Sequence, residues 1–318
     1  MGTRVVIAHN PVPAEADPST ADVLEQVAMV AAALAALGRP FETIAIVDPQ
    51  DVAAFRDTTV FNLFEALPGN PWPPCDFAEA LERRGIPFTG SPSAALRLTT
   101  DKLATRTHLA SLGFPVPPGV EWSGETPPFP PPWILKPAWE DASLGLEGNP
   151  LCWTREELET RALRMRQAFG SQPLLVEAFL PGREFNVSLV EVEGTLTVLP
   201  VAEMDFSSLP PELPPMVTYE AKWAEGSAAD RGTVRVFPDP GEPLVRAVAE
   251  LALAAAAACG VRGYARVDIR GDARGEPHIL EVNANPCLSP GAGFLAAAAQ
   301  AGLSPPQVVA RILEAAWR

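Results

Sequence analysis

The sequence predicts an α/β protein of several lobes, with a parallel, doubly wound sheet at its amino-terminal end. Three observations carry this. Strand-like and helix-like segments alternate through the first ninety residues, the order that builds parallel sheets. At 318 residues the chain exceeds one ordinary core and suits two or three lobes. Two proline-rich breaks, Pro127–Pro132 and Pro210–Pro215, interrupt the remainder as loops, because such runs cannot be helix or central strand.

Taken in order, Arg4–Ala8 is a β-run and Ala21–Leu37 a long helical pattern closed by Gly38. Phe41–Val47 and Thr59–Leu63 are the next strands, and Asp76–Arg84 is a helix ended by Gly85. Ligands usually sit where the chain leaves the carboxyl ends of such strands, here His9–Ser19 and Asn62–Pro71. A helix is expected at about Thr100–Leu112, stopped by Gly113 and Pro115, and Trp133–Pro137 is a short strand. Thr154-Arg-Glu-Glu157 is a capping box that opens a helix running to about Phe169. Leu174–Phe179 and Glu184–Val192 are strands around Pro181-Gly182, and Thr195–Val201 pairs with the second across Gly194. Helix Leu244–Cys259 leads to two further strands, and helices at about Phe294–Ala301 and Pro306–Trp317 close the chain.

Composition narrows the partners. The apolar fraction of 47% suits a compact globule, while the net charge of −15 argues against nucleic acid or an anionic membrane surface. No uncharged apolar run approaches the ~20 residues of a membrane span. The first residues begin a strand almost at once, with no signal-peptide pattern. The four cysteines, Cys75, Cys152, Cys259 and Cys287, are scattered and read as free thiols in a reducing cytoplasm.

The chemistry is densest in Ala265-Arg-Val-Asp-Ile-Arg270 and His278-Ile-Leu-Glu-Val-Asn-Ala-Asn-Pro286. Alternation along a strand puts Arg266 and Asp268 on one face, and likewise Glu281 and Asn283. Carboxylate and amide oxygens suit Mg²⁺, which keeps several waters and usually completes its shell with nucleotide phosphates. An arginine on that face could hold a developing anion or a transferred phosphoryl group. Upstream, Asp101-Lys102 opens a helix, Lys136-Pro137 ends a strand, and Asp141-Ala-Ser-Leu-Gly145 is a small-residue loop able to lay N–H groups against phosphates. Glu177 and Glu184 flank a turn, and Lys222 lies in a loop, Tyr219-Glu-Ala-Lys-Trp223. In isolation Asp268, Glu281 and Asn283 read equally as solvated strand residues and Lys102 as a helix-surface residue, whereas the apolar strand Trp133–Leu135 carries Lys136 inward.

Together, in this order and spacing, Asp101-Lys102, Lys136-Pro137, Ser143-Leu-Gly145, Val176-Glu-Ala-Phe179, Gly182-Arg-Glu184, Tyr219-Glu-Ala-Lys222, Arg266-Val-Asp268 and Glu281-Val-Asn-Ala-Asn-Pro286 resemble the ATP-grasp superfamily. Within it the D-alanine–D-alanine ligase group is the nearest, over nearly the whole chain to Ser289. The resemblance implies a three-lobed fold: residues 1–96, an ATP lobe at 97–180 and a metal-bearing lobe at 181–318. It implies that Lys102, Lys136 and Lys222 contact ATP phosphates under a flap at Ser143–Gly145. Glu177 and the backbone near Phe179 would meet the adenine, and Glu184 the ribose. Asp268, Glu281 and Asn283 would hold two Mg²⁺ ions, with Mn²⁺ as a substitute. Arg266, with Ser143 and Lys222, would serve the phosphoryl transfer.

The implied reaction joins a carboxylate and an amine of small amino-acid-like substrates through an acyl phosphate, in a cytoplasmic enzyme that is usually a homodimer. The substrate shell departs from the group. Glu65 stands where a histidine is usual, Trp223 replaces a tyrosine, and Ala292 falls where a serine would be. Glu65 is either a ligand for a substrate ammonium or a helix-capping charge. Trp223 reads as lid packing or a substrate contact, and Asn285 and Ser289 are further substrate candidates. The residue that holds the first substrate's ammonium has no clear match; Glu15, Asp17 and Ser19 are candidates. A ligase for another dipeptide or natural-product amide, or a non-catalytic nucleotide-binding protein, are the alternatives.

Overall fold

The structure, a computed structural model, describes residues 4–67 and 69–316. Trp317, expected in the last helix, lies outside the described residues.

The amino-terminal part comprises β1 (Arg4–His9), α1 (Pro18–Ala36), β2 (Phe41–Ala45), β3 (Thr58–Leu63) and α2 (Pro73–Arg83), and is followed by α3 (Ser93–Thr100) and α4 (Lys102–Ser111). Its three strands are parallel, in the order β2-β1-β3. Strand alternation divides the core. Val5 and Ile7 pack with Val23, Val30 and Leu34 of α1, whereas Val6 and Ala8 pack with Phe77 and Leu81 of α2. The sheet is therefore covered on both faces, as expected.

α1 is 19 residues long with a mean hydropathy of 1.3, enough by length and composition to cross a membrane. It carries Asp22 and Glu25, so it is not the uncharged run sought in the sequence. Its buried residues line the core of this sheet, as the apolar stripe of an amphipathic helix does. Asp17 sets its start earlier than the apolar pattern suggested: the carboxylate accepts from Ser19 N and Thr20 N, with Pro18 at the first turn.

The helix expected at about Thr100–Leu112 is α4, and a further, unexpected helix, α3, precedes it and ends at Asp101. Asp101 is extended (φ −93°, ψ 104°) and its carboxylate accepts from Leu103 N and Ala104 N. An aspartate that satisfies the first donors of α4 ends α3 by the same conformation.

The second sheet is antiparallel: β4 (Gly119–Glu121), β5 (Trp133–Pro137), β6 (Leu151–Cys152) and β7 (Leu174–Ala178), in the order β4-β7-β5-β6. The helix α5 (Arg155–Phe169) lies between β6 and β7 in sequence and opens with the predicted Thr154–Glu157 capping box. Leu158, Ala162 and Met165 pack it onto Trp133, Leu135 and Val176.

The third sheet holds β8 (Glu184–Val192), β9 (Thr195–Val198), β10 (Ala202–Asp205), β11 (Val234–Val236), β12 (Tyr264–Gly271) and β13 (Pro277–Asn283). Its order is β11-β10-β8-β12-β13, with β9 paired to β8 as the expected hairpin. The segment expected as a loop around Lys222 is a short helix, α6 (Tyr219–Trp223), because the Thr218 hydroxyl accepts from Ala221 N. It is followed by α7 (Ala228–Gly232), α8 (Pro243–Ala258), α9 (Gly293–Gln300) and α10 (Pro305–Ala316). α8 supplies Val245, Val248, Ala252 and Ala255 to the core beneath β12 and β13. The apolar sides of α9 and α10 join the core of α1 and so tie the ends of the chain together.

Candidate active site

Three neighbouring strands place the polar row at the centre of the site. Asp268 on β12 is paired across the sheet with Glu281 on β13 and Asn186 on β8, and Arg266 with Asn283. Directly opposed side chains lie close enough to interact. Arg266 donates to both oxygens of Asp268, Nε–Oδ1 at 2.7 Å and Nη2–Oδ2 at 2.8 Å. Asn186 Nδ2 donates to Asp268 Oδ1 at 2.9 Å, and Asn283 Nδ2 to Glu281 Oε1 at 3.0 Å. The two carboxylates and the Asn283 amide thus converge, as the sequence predicted. Asn186 was missed, although alternation from Glu184 on β8 puts it on the same face.

Burial pushes the Asp268 carboxyl upward against the pull of Arg266. At Glu281 burial is outweighed by Lys102, Arg266 and Lys222, which hold that carboxyl well below its ordinary range. Burial disfavours the Arg266 cation, but Asp268 and Glu281 prevail and keep its charge fixed. The donor set fits a divalent ion. Asp268, Glu281 and Asn283 present hard oxygens, too few to fill six positions, and rotation of the Asn283 amide turns its oxygen to where its nitrogen now meets Glu281.

Arg270 continues the same face of β12 and was also missed. It forms an ion pair with Glu184, donates to the Leu180 and Pro215 carbonyls, and lies 4.6 Å over the Phe179 ring. The Phe179 N–H is taken by Pro132 O at 2.9 Å. In the second sheet Lys136 Nζ donates to Glu177 Oε2 at 2.7 Å. Lys102 donates to Glu140 O and to Asp141 Oδ1, the latter at 3.0 Å.

The loop at 141–147, expected as a phosphate flap, has an unusual backbone. Ala142 and Ser143 adopt left-handed backbone (φ 56° and 62°), and Gly145 does so at φ 81°, where a Cβ would crowd Pro137 and Met165 at 3.0 Å. The Glu147 carboxylate already accepts from Gly145 N at 3.0 Å. This loop and α6 meet: Trp223 Nε1 donates to Ala142 O at 3.1 Å, and Ser143 Oγ to Val217 O at 3.3 Å. Trp223 therefore fastens α6 to this loop. Lys222 keeps solvent contact on α6, yet surrounding protein, and then Arg266, hold its ammonium below the ordinary value.

Glu65 ends the β3 connection and accepts from Gln26 Nε2 at 2.6 Å. Burial, and secondarily Asp22 and Asp141, push its carboxyl up to about 7. Gln26 also donates to Asp22 at 3.2 Å, and Asp22 accepts from Ser289 Oγ at 2.7 Å and from Cys287 Sγ at 2.9 Å. An acidic wall thus joins α1, Glu65 and the Cys287–Phe294 segment. Asp22 and Gln26 stand one helical turn apart and escaped notice because α1 reads as an apolar helix. Glu15 is exposed, and Asp17 and Ser19 are engaged in the α1 cap; Asp22 instead reaches this wall. Asn285 accepts from the Tyr264 hydroxyl. His9, His108 and His278 each meet a backbone carbonyl and pair with no nucleophile.

The comparisons agree with this geometry. The family model described as D-ala D-ala ligase C-terminus matches residues 127–314. The D-alanine–D-alanine ligase of Granulibacter bethesdensis is 32% identical over 236 residues, which cover 72% of this chain and 71% of that protein. The D-alanine–D-alanine ligase of Gluconobacter oxydans is 31% identical over 82% of this chain and 85% of its own length. A Sinorhizobium fredii protein described as uncharacterized is 33% identical over 85% of this chain and 78% of its own. The crystal structure of D-alanine–D-alanine ligase from Bacillus anthracis complexed with ATP superposes with a TM-score of 0.74 at 18% identity, covering 100% of this chain and 98% of that one, which establishes the shared fold. With the family model spanning β12, β13 and the loop at 141–147, and relatives above 30% identity covering most of the chain, the chain belongs to the D-alanine–D-alanine ligase family of ATP-grasp proteins.

Proposed function

We propose that this chain is an ATP-dependent carboxylate–amine ligase that joins two small amino-acid-like molecules. The observation that carries the reading is the converged row Asn186, Asp268, Glu281 and Asn283 with Arg266 fixed beside it. Residues 1–96, 97–180 and 181–318 form its three lobes, each carrying one of the three sheets.

Asp268, Glu281 and Asn283 would hold Mg²⁺, which, when bound, neutralises charge on the phosphate oxygens. Lys102, Lys136 and Lys222, from three different elements, bring ammonium groups to the same region, and phosphate competes with Asp141 and Glu177 for two of them. The flap Ser143–Gly145 offers backbone N–H groups and is tied to the lid by Trp223. Glu177, Phe179 and Glu184 line the nucleotide side. The substrate carboxylate attacks the terminal phosphorus of ATP, and ADP leaves. The amine nitrogen then attacks the acyl carbon and loses a proton, and inorganic phosphate departs. Arg266 places a fixed positive charge where negative charge develops in both steps. Glu65 and Asp22 are acidic groups suited to a substrate ammonium, with Asn285 and Ser289 shaping that wall.

The test is phosphate release by purified protein with ATP, Mg²⁺ and pairs drawn from the D- and L-amino acids. Release coupled to amide formation is expected, and its absence with every pair would refute the ligase reading. A second reading, a ligase for a dipeptide other than D-alanyl-D-alanine, is favoured by Glu65 and Ala292. Release that does not depend on D-alanine selects it.

A further inference from the structure

Arg235 on β11 is a cation of this site without a counter-charge. Its Nη1 donates to Gly291 O at 3.2 Å. Its Nε is buried with no hydrogen-bond partner, and no carboxylate pairs with it among the described residues. The neighbouring Arg266, by contrast, spends its Nε–Nη2 edge on Asp268. The Nε–Nη2 edge of Arg235 is therefore a free fork, the shape that takes a carboxylate through two parallel hydrogen bonds. A buried donor left unpaired bears its full desolvation penalty, which an anion at the fork would remove.

The space before the fork is held open by a glycine. A Cβ on Gly293 would lie 3.8 Å from Arg235 Nη2, 4.0 Å from its Nε and 4.0 Å from Arg266 Cδ. Both arginines thus border one small volume beside the metal-binding row. The neighbouring residue Ala292 has no hydroxyl or amide, so it offers no side-chain donor of its own. Arg235 bonds the segment that also carries Cys287 and Ser289 to Asp22, which places the fork on the substrate wall and not with Lys136 on the second sheet. Burial, and then Arg266, hold the Arg235 guanidinium below its ordinary value, the mark of a cation lacking an anion.

We propose that the free edge of Arg235 anchors the carboxylate of the amine-bearing substrate, so that the enzyme selects an amino acid over a simple amine. The proposal rests on the ligase reading above.

The experiment compares wild type, R235Q and G293V, each assayed by ATP-dependent phosphate release with amino acids and their primary amides as the amine substrate. Wild type is expected to prefer the free acid. In R235Q the ratio of kcat/KM for acid over amide should fall at least about tenfold, the scale of a lost charge-assisted contact. G293V, which keeps the arginine but fills the space before it, should lower the same ratio. Equal use of acid and amide by wild type, or an unchanged ratio in R235Q, overturns the assignment. Should no amino acid elicit phosphate release, the ligase reading fails by itself, and thermal unfolding decides the fork. Free amino acids must then stabilise wild type more than their amides do, a difference absent in R235Q; no difference in wild type overturns the proposal.

Discussion

Replacing Arg270 by methionine isolates the buried pair that joins β12 to β8. The Arg270 and Glu184 side chains are only 4% and 9% exposed, so solvent cannot screen or rehydrate them. Methionine keeps the apolar contact with Phe179 and Phe206 but leaves buried Glu184 without its cation. It also strands the Leu180 and Pro215 carbonyls. Removing one partner of such a pair costs about 3–5 kcal/mol. Yet burial holds the Arg270 guanidinium below its ordinary value despite Glu184, which means that desolvation outweighs what the pair returns at that position. The double variant R270M/E184Q should therefore be clearly more stable than R270M alone. The assay is the denaturant midpoint of wild type, both single variants and the double, at unchanged slope. A loss under about 1 kcal/mol for R270M, or a double variant no better than the single, would refute the reasoning.

Glu65 supplies a pH dependence. Its folded-state value is raised from 4.5 to about 7, so the stability linked to this group is fully present below 4.5 and is lost as pH rises through about 7. E65Q should therefore gain stability over wild type above neutrality, read as a difference in unfolding temperature between pH 5 and pH 8. Because a substrate ammonium needs the ionised carboxylate, KM for the amino-acid substrate should rise as pH falls through 7, and E65Q should flatten that profile; a profile identical to wild type removes Glu65 from the pocket. D101A should cost about 1 kcal/mol by uncapping α4, measured by denaturation. It should also raise KM for ATP, since Lys102 follows directly; an unchanged KM separates the cap from the site. N283A should abolish turnover while leaving the unfolding midpoint near wild type, because its amide serves charge and not packing; retained turnover contradicts the metal assignment.

Much of this was legible in the chain for a physical reason. Strands alternate, so Arg266 with Asp268 and Glu281 with Asn283 had to share faces, and the structure pairs them across one ladder. The Thr154 capping box marked the start of α5 to the residue. What escaped depends on partners distant in sequence. Asn186 and Arg270 acquire meaning only when β8 lies beside β12, a pairing between segments some eighty residues apart. Asp22 drew no attention in an apolar helix, and gains its meaning from the Cys287–Phe294 segment folded against it. Strands of two to four residues, such as β6 and β11, are too short to show a period, and Lys222 read as loop because one turn of helix has no stripe.

The account turns on a substrate carboxylate being phosphorylated before the amine attacks. The direct measurement is turnover with ¹⁸O in the carboxylate of the accepted acid, followed by mass analysis of the phosphate released. One labelled oxygen in inorganic phosphate is the predicted result. Phosphate free of label would contradict an acyl phosphate and with it the roles assigned to Arg266 and the converged carboxylates.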